Sequence, residues 1–405
     1  MKKTLAAVAV LGAFAGSALA ADVQLYGIVD LGVGYNHVDV DGLKTSGDID
    51  KFEMKTGQAS GSRWGIKGTE DLGNGLTVGF ILEDGFNADD GSESGVMFNR
   101  ESSLFLEGGF GKIAFGRIGS INNGQSSWAK VGMINAFGTS DWGGYSVQVG
   151  NMMATAAQWD NMIAYQTPDF AGFKVYAQYG MGNQVTDEYK QNVYDSKGDP
   201  VGTIDAEKTF GTENESSSNR YYAIGLTYNN GPFAGYFAVD SQNYSSAYAL
   251  DGDGDLAFQD TDDSLTVTLG GSYDFDVVKV YLGAQYFDEV KLSGFGGAIK
   301  DAGVGQSSKV KGYAVTLTGD APLWGGKAMF GVGYTDAETA DSQDLTQDVD
   351  FKRYVVSVGY DYPFSKRTDL YAIASYMQDN WEENKAKVEG DPSAYTLYVG
   401  LRHRF

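Results

Sequence analysis

From Val23 onward the chain alternates with a period of two. Val23, Leu25, Gly27, Val29, Leu31 and Val33 share one face, while Gln24, Tyr26, Ile28, Asp30, Gly32 and Gly34 share the other. Successive side chains of an extended strand point to opposite faces, so the pattern predicts a strand with one apolar side. It returns at Leu76, Val78, Phe80 and Leu82 against Thr77, Gly79, Ile81 and Glu83, and at Leu265, Val267 and Leu269 against Thr266, Thr268 and Gly270. The last run sets Tyr395, Leu397, Val399 and Leu401 against Thr396, Tyr398, Gly400 and Arg402. Such segments number about sixteen. They lie near 22–38, 59–71, 75–86, 96–108, 111–118, 159–167, 172–182, 219–230, 232–243, 263–274, 276–290, 309–319, 326–336, 351–362, 368–380 and 392–405.

The connections between them are unequal. Short turns such as Gly73-Asn74-Gly75, Asn229-Asn230-Gly231 and Pro363-Phe364-Ser365 alternate with long polar links near 39–58, 119–158, 183–218, 244–262, 291–308 and 337–350. Tight turns on one rim and long loops on the other are the habit of a transmembrane barrel, and a soluble sandwich has no reason to keep that order. The expected fold class is therefore all-β: a 16-stranded antiparallel transmembrane β-barrel. No stretch after the first residues approaches the ~18 consecutive apolar residues of a membrane-spanning helix.

Residues 1–20 read as an export signal: Lys2 and Lys3, an apolar run from Leu5 to Gly16, then Ala18-Leu19-Ala20 before the cut. The barrel domain then covers 21–405. There is no cysteine, so no disulfide framework holds an exported chain of this kind. A formal net charge of −23 argues against nucleic acid as a partner, because phosphate is repelled. Much of the acidity lies in the long links. Residues 183–218 carry eight Asp or Glu against three Lys. The link at 119–158 is the exception, with Lys130 and Asp141 as its only charges and many Gly, Met and aromatic residues. It reads as packed inside something.

The runs Ser62–Leu76, Phe110–Arg117, Asn161–Phe173 and Gly400–Phe405 resemble, in order along the whole mature chain, the general porins of β-proteobacteria. The resemblance implies a homotrimer with a water-filled pore through each subunit, set in the outer membrane of a Gram-negative bacterium. It further implies a third loop folded inward as a constriction, here 119–158, and passive passage of small hydrophilic solutes without cofactor or catalysis. A terminal aromatic, here Phe405, is implied to be read by the barrel-assembly machinery.

Fixed charges across a narrow aqueous gap set ion preference, because low-dielectric walls focus their field. Parity nominates Asp30, Arg63, Lys67, Glu83 and Glu101 as lumenal, and Asp141 joins them from the loop. Arg100 falls on the lipid-facing parity. Arg117 does too, whereas the resemblance implies a pore-lining role that a bulge at Gly116 reconciles. Some relatives carry a basic residue where Glu101 stands and another near Gln158. With acids mixed among the bases here, weak cation preference or little selectivity is expected.

Other signals are weaker. Asp251-Gly252-Asp253-Gly254-Asp255 alternates like a calcium loop but has Leu256 at the sixth position and Asp262 at the twelfth, so no metal site is assigned. Such an acidic surface still admits divalent bridges to lipopolysaccharide. A barrel enzyme is the rival from another class. Only His37 and His403 exist, however, and His37 near Asp39 has no nucleophile constellation around it. The alternative within transport is a substrate-specific channel for a sugar or organic acid. A sugar track needs aromatics descending the lumen, whereas Trp128, Phe137 and Trp142 sit on one loop.

Overall fold

The computed structural model describes residues 22–42, 46–181, 185–194, 200–210, 219–244, 247–250, 256–259, 262–291, 295–296, 298, 309–340, 348–385 and 387–405. Its strands are β1 (Asp22–Asp41), β2 (Ser46–Thr56), β3 (Arg63–Gly73), β4 (Leu76–Gly85), β5 (Glu101–Gly108), β6 (Gly111–Gly119), β7 (Gln158–Gln166), β8 (Phe173–Gly180), β9 (Val185–Tyr194), β10 (Pro200–Phe210) and β11 (Arg220–Asn230). They continue as β12 (Phe233–Asn243), β13 (Ala247–Leu250), β14 (Leu256–Gln259), β15 (Ser264–Asp274), β16 (Lys279–Lys291), β17 (Lys309–Leu323), β18 (Gly326–Thr339), β19 (Val349–Pro363), β20 (Thr368–Glu383), β21 (Val388–Gly390) and β22 (Ser393–Arg404).

Sixteen of these, β1, β3–β8, β11, β12, β15–β20 and β22, close one antiparallel barrel. Closure is the pairing of first and last strands, from Ile28 opposite Arg404 to Asp39 opposite Ser393. A closed ladder leaves no strand edge in the hydrocarbon region, which is what lets a sheet cross a membrane. Phe405 completes the seam by exchanging two backbone hydrogen bonds with Gly27, at 3.0 and 3.1 Å. Its ring occupies the space a Cβ at Gly27 would need.

The outward face carries the apolar half of each alternation: Leu269, Leu282, Leu317, Val332, Val356, Leu397 and Leu401 are all exposed. Aromatics border this band. Tyr313, Tyr334 and Tyr354 neighbour one another at 5.1–6.1 Å near the long-loop rim, and Phe173, Tyr228 and Phe233 do so at 4.2–5.9 Å near the short turns. The order is aliphatic middle and aromatic edges, as a bilayer requires of a barrel.

Three of the long links are not plain loops. The one expected at 39–58 contains β2, which pairs with the upper half of β1 from Leu31 opposite Thr56 to Asp41 opposite Ser46, while β3 pairs with the lower half. Segment 57–62 interrupts what is otherwise one long strand. The pattern gives no strand there because one face of β2 is charged: Glu53 pairs with Lys51 and, at 3.2 Å, with Lys55. Likewise β9–β10 form a hairpin within 183–218, and β13–β14 one within 244–262. The strand expected from 96 begins only at Glu101, because the chain reverses at Phe98 with φ +56°.

The largest buried apolar cluster does not lie between layers of sheet. It joins the 119–157 link, whose Ile121, Trp128, Val131, Ile134, Phe137, Val147, Val149 and Met152 are all buried, to strand residues such as Tyr236, Ala314 and Val355. Glycines on the strands make room for it. A Cβ at Gly225 would meet Ile121, one at Gly270 Ile134, and one at Gly333 Met152 and Val147, each at 3.0 Å or less. Hydrogen bonds pin the link to the strands alongside these: Asn122 Nδ2 to Asp240 on β12 (2.7 Å), Ala136 N to Thr318 on β17 (2.8 Å) and Val147 N to Ser357 on β19 (2.9 Å).

Candidate functional site

Five of the seven residues nominated by parity and loop composition border one cavity of about 570 Å³: Arg63, Lys67, Glu83, Glu101 and Asp141. Strands β3, β4 and β5 supply the first four, and the 119–157 link supplies the last. The backbone of segment 57–62 and the polar stretch Gly124–Ser127 complete its walls.

Its electrostatic centre is Glu83. Tyr26 donates to Oε2 at 3.0 Å, and the same oxygen stands 3.4 Å from Arg63 Nε. Arg100 Nε donates to Oε1 at 2.7 Å. One carboxylate thus lies between two guanidinium groups, which fixes both arginines and leaves a unit of positive charge on that wall. Lys67 adds another cation, its Nζ 5.1 Å from the Tyr26 ring centroid.

Arg100 corrects the parity expectation. The strand does not yet exist at this residue, so alternation gives no information about it, and the side chain turns to the cavity. The polar run Gly91–Gly95 and the following Asn99 are the signals for a strand starting later.

The acids differ in what they do. Glu101 is 1% exposed, and its oxygens accept from Ser103 Oγ (2.8 Å), Ser127 N (2.8 Å) and Ser127 Oγ (3.0 Å), so it fastens the link to the wall. Asp141 is exposed and shows no ion pair among the described residues. Asp30 borders neither this cavity nor its neighbour. It is fully buried and accepts from Ala59 N (2.9 Å), Ser60 N (2.7 Å) and Tyr371 Oη (2.5 Å), which shapes segment 57–62. Arg402 grips the same segment, donating to Ala59 O (3.2 Å) and Ser60 Oγ (2.8 Å) while paired with Asp361 and Asp369.

A second cavity, of about 440 Å³, shares Gly57, Gly61, Arg100, Gln125 and Asp141 with the first, and Arg117 borders it. Arg117 donates from Nε to Asn99 O (2.8 Å) and pairs with Asp160 at 2.6 Å. Next to it the β6–β7 register is irregular between Gly116 (φ +129°) and Ile118. The two cavities share five lining residues, and fixed charges of both signs border each.

Lys130 holds the backbone of Ser127, which lines the first cavity, donating to its carbonyl oxygen at 2.8 Å with Nζ 5.6 Å from the Tyr176 ring. Burial first, then the nearby Lys112 and Lys174, lower its pKa to about 8, partly offset by Glu101. The ammonium is charged below that pH and neutral above it. Raising the pH from about 6 to about 9.5 should therefore move the reversal potential toward cations. Lys130→Arg, which keeps its charge over that range, should remove the movement; an undiminished movement would place the titration elsewhere.

His37 is not paired with Asp39 as a dyad: its Nδ1 lies 2.9 Å from Asp50 Oδ1, and its ring stacks on Tyr395 at 4.8 Å. Residues 251–255 lie outside the described residues, and among the described residues no cluster of three metal-binding side chains occurs.

The profile of the family described as Gram-negative porin matches residues 6–381. The chain belongs to the Gram-negative porin family. This porin is 35% identical over 429 residues to an outer membrane porin protein of Bordetella pertussis, with both chains fully covered. It is 29% identical to outer membrane porin protein 32 of Delftia acidovorans and 28% to the major outer membrane protein P.IB of Neisseria gonorrhoeae, again over the full length of both. Among solved structures it resembles the anion-selective porin from Comamonas acidovorans, with a TM-score of 0.61 and 24% identity over 95% of this chain and 100% of that one. A loop-deletion mutant of an outer membrane protein of Vibrio cholerae gives 0.59 at 14% identity, covering 95% and 99%. These structures share the fold. The porin is thus a channel protein of the outer membrane, and its family is one of passive channels.

Proposed function

We propose that this porin is a general diffusion channel whose narrowest part lies between the Arg63–Glu83–Arg100 wall and Asp141 on the 119–157 link. In this reading the link crosses the lumen as the constriction, and small hydrophilic solutes pass through in water. The observation that supports it is the pair of joined cavities bordered by small polar side chains and charges of both signs. With Arg100 added the first cavity carries three basic and three acidic side chains, which favours little ion selectivity. The loop aromatics are buried as packing. Trp142, for example, meets Tyr371 edge-on at 5.5 Å, so they offer no track for sugar rings.

The exposed aliphatic band is the surface for outer-membrane lipid, with lipopolysaccharide at the long-loop rim. Phe405, at the end of the closing strand, is the assembly signal. The unit is a homotrimer, as one Vibrio cholerae outer membrane protein of the same fold is described. The basic wall also supports a second reading, an organic-acid channel, because Arg63 and Arg100 present guanidinium groups suited to carboxylates. Planar-bilayer recording tests both. A general porin gives conductance steps in threes, a reversal potential near zero in a salt gradient, and sugar entry into liposomes that falls smoothly with size. Saturable entry of one organic acid, or a strong chloride preference, would select the second reading and reject the first.

A further inference from the structure

Two wholly buried charges border neither of the two cavities described above. Arg353 on β19 and Asp379 on β20 are cross-strand partners, and both side chains are wholly inaccessible to solvent. They meet fork to fork, Nε to Oδ1 at 2.7 Å and Nη2 to Oδ2 at 2.8 Å. The remaining arm, Nη1, donates to the carbonyl oxygen of Asn151 in the 119–157 link. Asn151 belongs to the four-residue helix Val149–Met152, and carbonyls at a helix end have no partner within the helix. The wall supplies them. Thr335 donates to Met152 O at 2.7 Å, and Gln285 clasps Ala154 through both N (2.7 Å) and O (3.0 Å).

Neutral side chains hold the other two points, so a charge is not needed simply to satisfy a carbonyl. Packed apolar side chains replace a buried ion pair at little or no cost to stability, so a pair retained here points to a positional task. That task follows from the load. The link carries Lys130 and Asp141, on which an applied voltage pulls in opposite directions. Asp379 fixes the guanidinium rotamer and cancels its charge, so the grip on Asn151 is rigid and feels no net pull.

We propose that Arg353 and Asp379 form a clasp that holds the distal half of the constriction segment still under voltage, and so sets the steadiness of the open pore. The proposal rests on the reading of 119–157 as the constriction. Arg353 acts here as a positioning residue, through Asn151.

The test is single-channel recording on refolded trimer, with heat-modifiable gel migration as the check on barrel closure. Arg353→Gln should raise open-state current noise severalfold and lower the voltage at which channels close, and Arg353→Lys should fall between it and the parent. The double variant Arg353→Met with Asp379→Leu removes both charges together, leaves a packed wall, and should be as noisy as Arg353→Gln. Because the chain has no cysteine, Val147→Cys with Ser357→Cys offers a clean second tether, at a site where Val147 N already reaches Ser357 Oγ at 2.9 Å. Oxidised in the Arg353→Gln background, it should restore the quiet current, and reduction should abolish that rescue. A quiet double variant would trace the noise to an unpaired Asp379 and overturn the proposal, as would a closed tether that leaves Arg353→Gln noisy. A parent protein passing no current steps would instead overturn the pore reading itself.

Discussion

Arg100→Glu should move the reversal potential of the channel strongly toward cations. The substitution removes one positive charge and adds one negative charge beside Glu83, leaving Arg63 as the only guanidinium on that carboxylate. A unit charge ~6 Å from a passing ion is worth roughly 0.7 kcal/mol even at the dielectric constant of bulk water. A change of two units is then about 1.4 kcal/mol, near tenfold in local cation occupancy before salt screens it. Arg100→Lys keeps the charge and loses the fixed geometry, so its shift should be small. A reversal potential unchanged in Arg100→Glu would mean that permeating ions do not pass this wall, and the proposed narrowest section would be misplaced.

Gly333→Leu should narrow the pore. The three atoms nearest a Cβ at this position all belong to the 119–157 link: Met152 Cε at 2.7 Å, Met152 Sδ at 2.9 Å and Val147 Cγ2 at 3.0 Å. A leucine there overpacks the contact by about 1–3 kcal/mol, and the cheapest relief is to push the link off the wall. That moves the link toward the Arg63–Glu83–Arg100 wall, so single-channel conductance and the largest sugar admitted in liposome swelling should both fall while the barrel still closes. Gly312→Leu is the matched control. Its Cβ would strike Asp336 O at 2.1 Å, in the backbone of the next strand, so it should impair folding and leave the pore of any folded protein unchanged. If Gly333→Leu behaved like Gly312→Leu, the link would not be the movable boundary of the channel.

The barrel was legible because the bilayer allows few alternatives. Every spanning segment must alternate, and the alternation in β1, β4, β15 and β22 is uninterrupted where hydrocarbon lies outside. Legibility stops where that demand stops. Strand β2 offers only Phe52 and Met54 as an apolar pair on one face, where Asp48 and Asp50 continue it, and Lys51, Glu53 and Lys55 on the other, so its alternation is too short to mark a spanning strand. Parity misplaces Arg100 because the pattern begins its strand near 96, five residues before Glu101, in a stretch where the chain reverses at Phe98.

Parity also says which way a side chain points but not whom it meets. Asp30 and Glu101 are both buried, and backbone amides and hydroxyls use up their oxygens, so both hold polypeptide in place. The clasp of Arg353 and the glycine recesses at Gly225, Gly270 and Gly333 depend on contacts between residues more than a hundred positions apart, which no local pattern records.

Segment 57–62, which walls both cavities, is held from β1 by Asp30 and from β22 by Arg402, with Tyr371 of β20 on the same Asp30 carboxylate. Its shape is thus a product of the two chain ends meeting. An insertion intermediate halted before the final hairpin lacks not just a seam but the rim of its own filter, and a leak from such a species carries none of the mature discrimination. On the proposed reading of the pore, completion of the cylinder and appearance of a working sieve are one event.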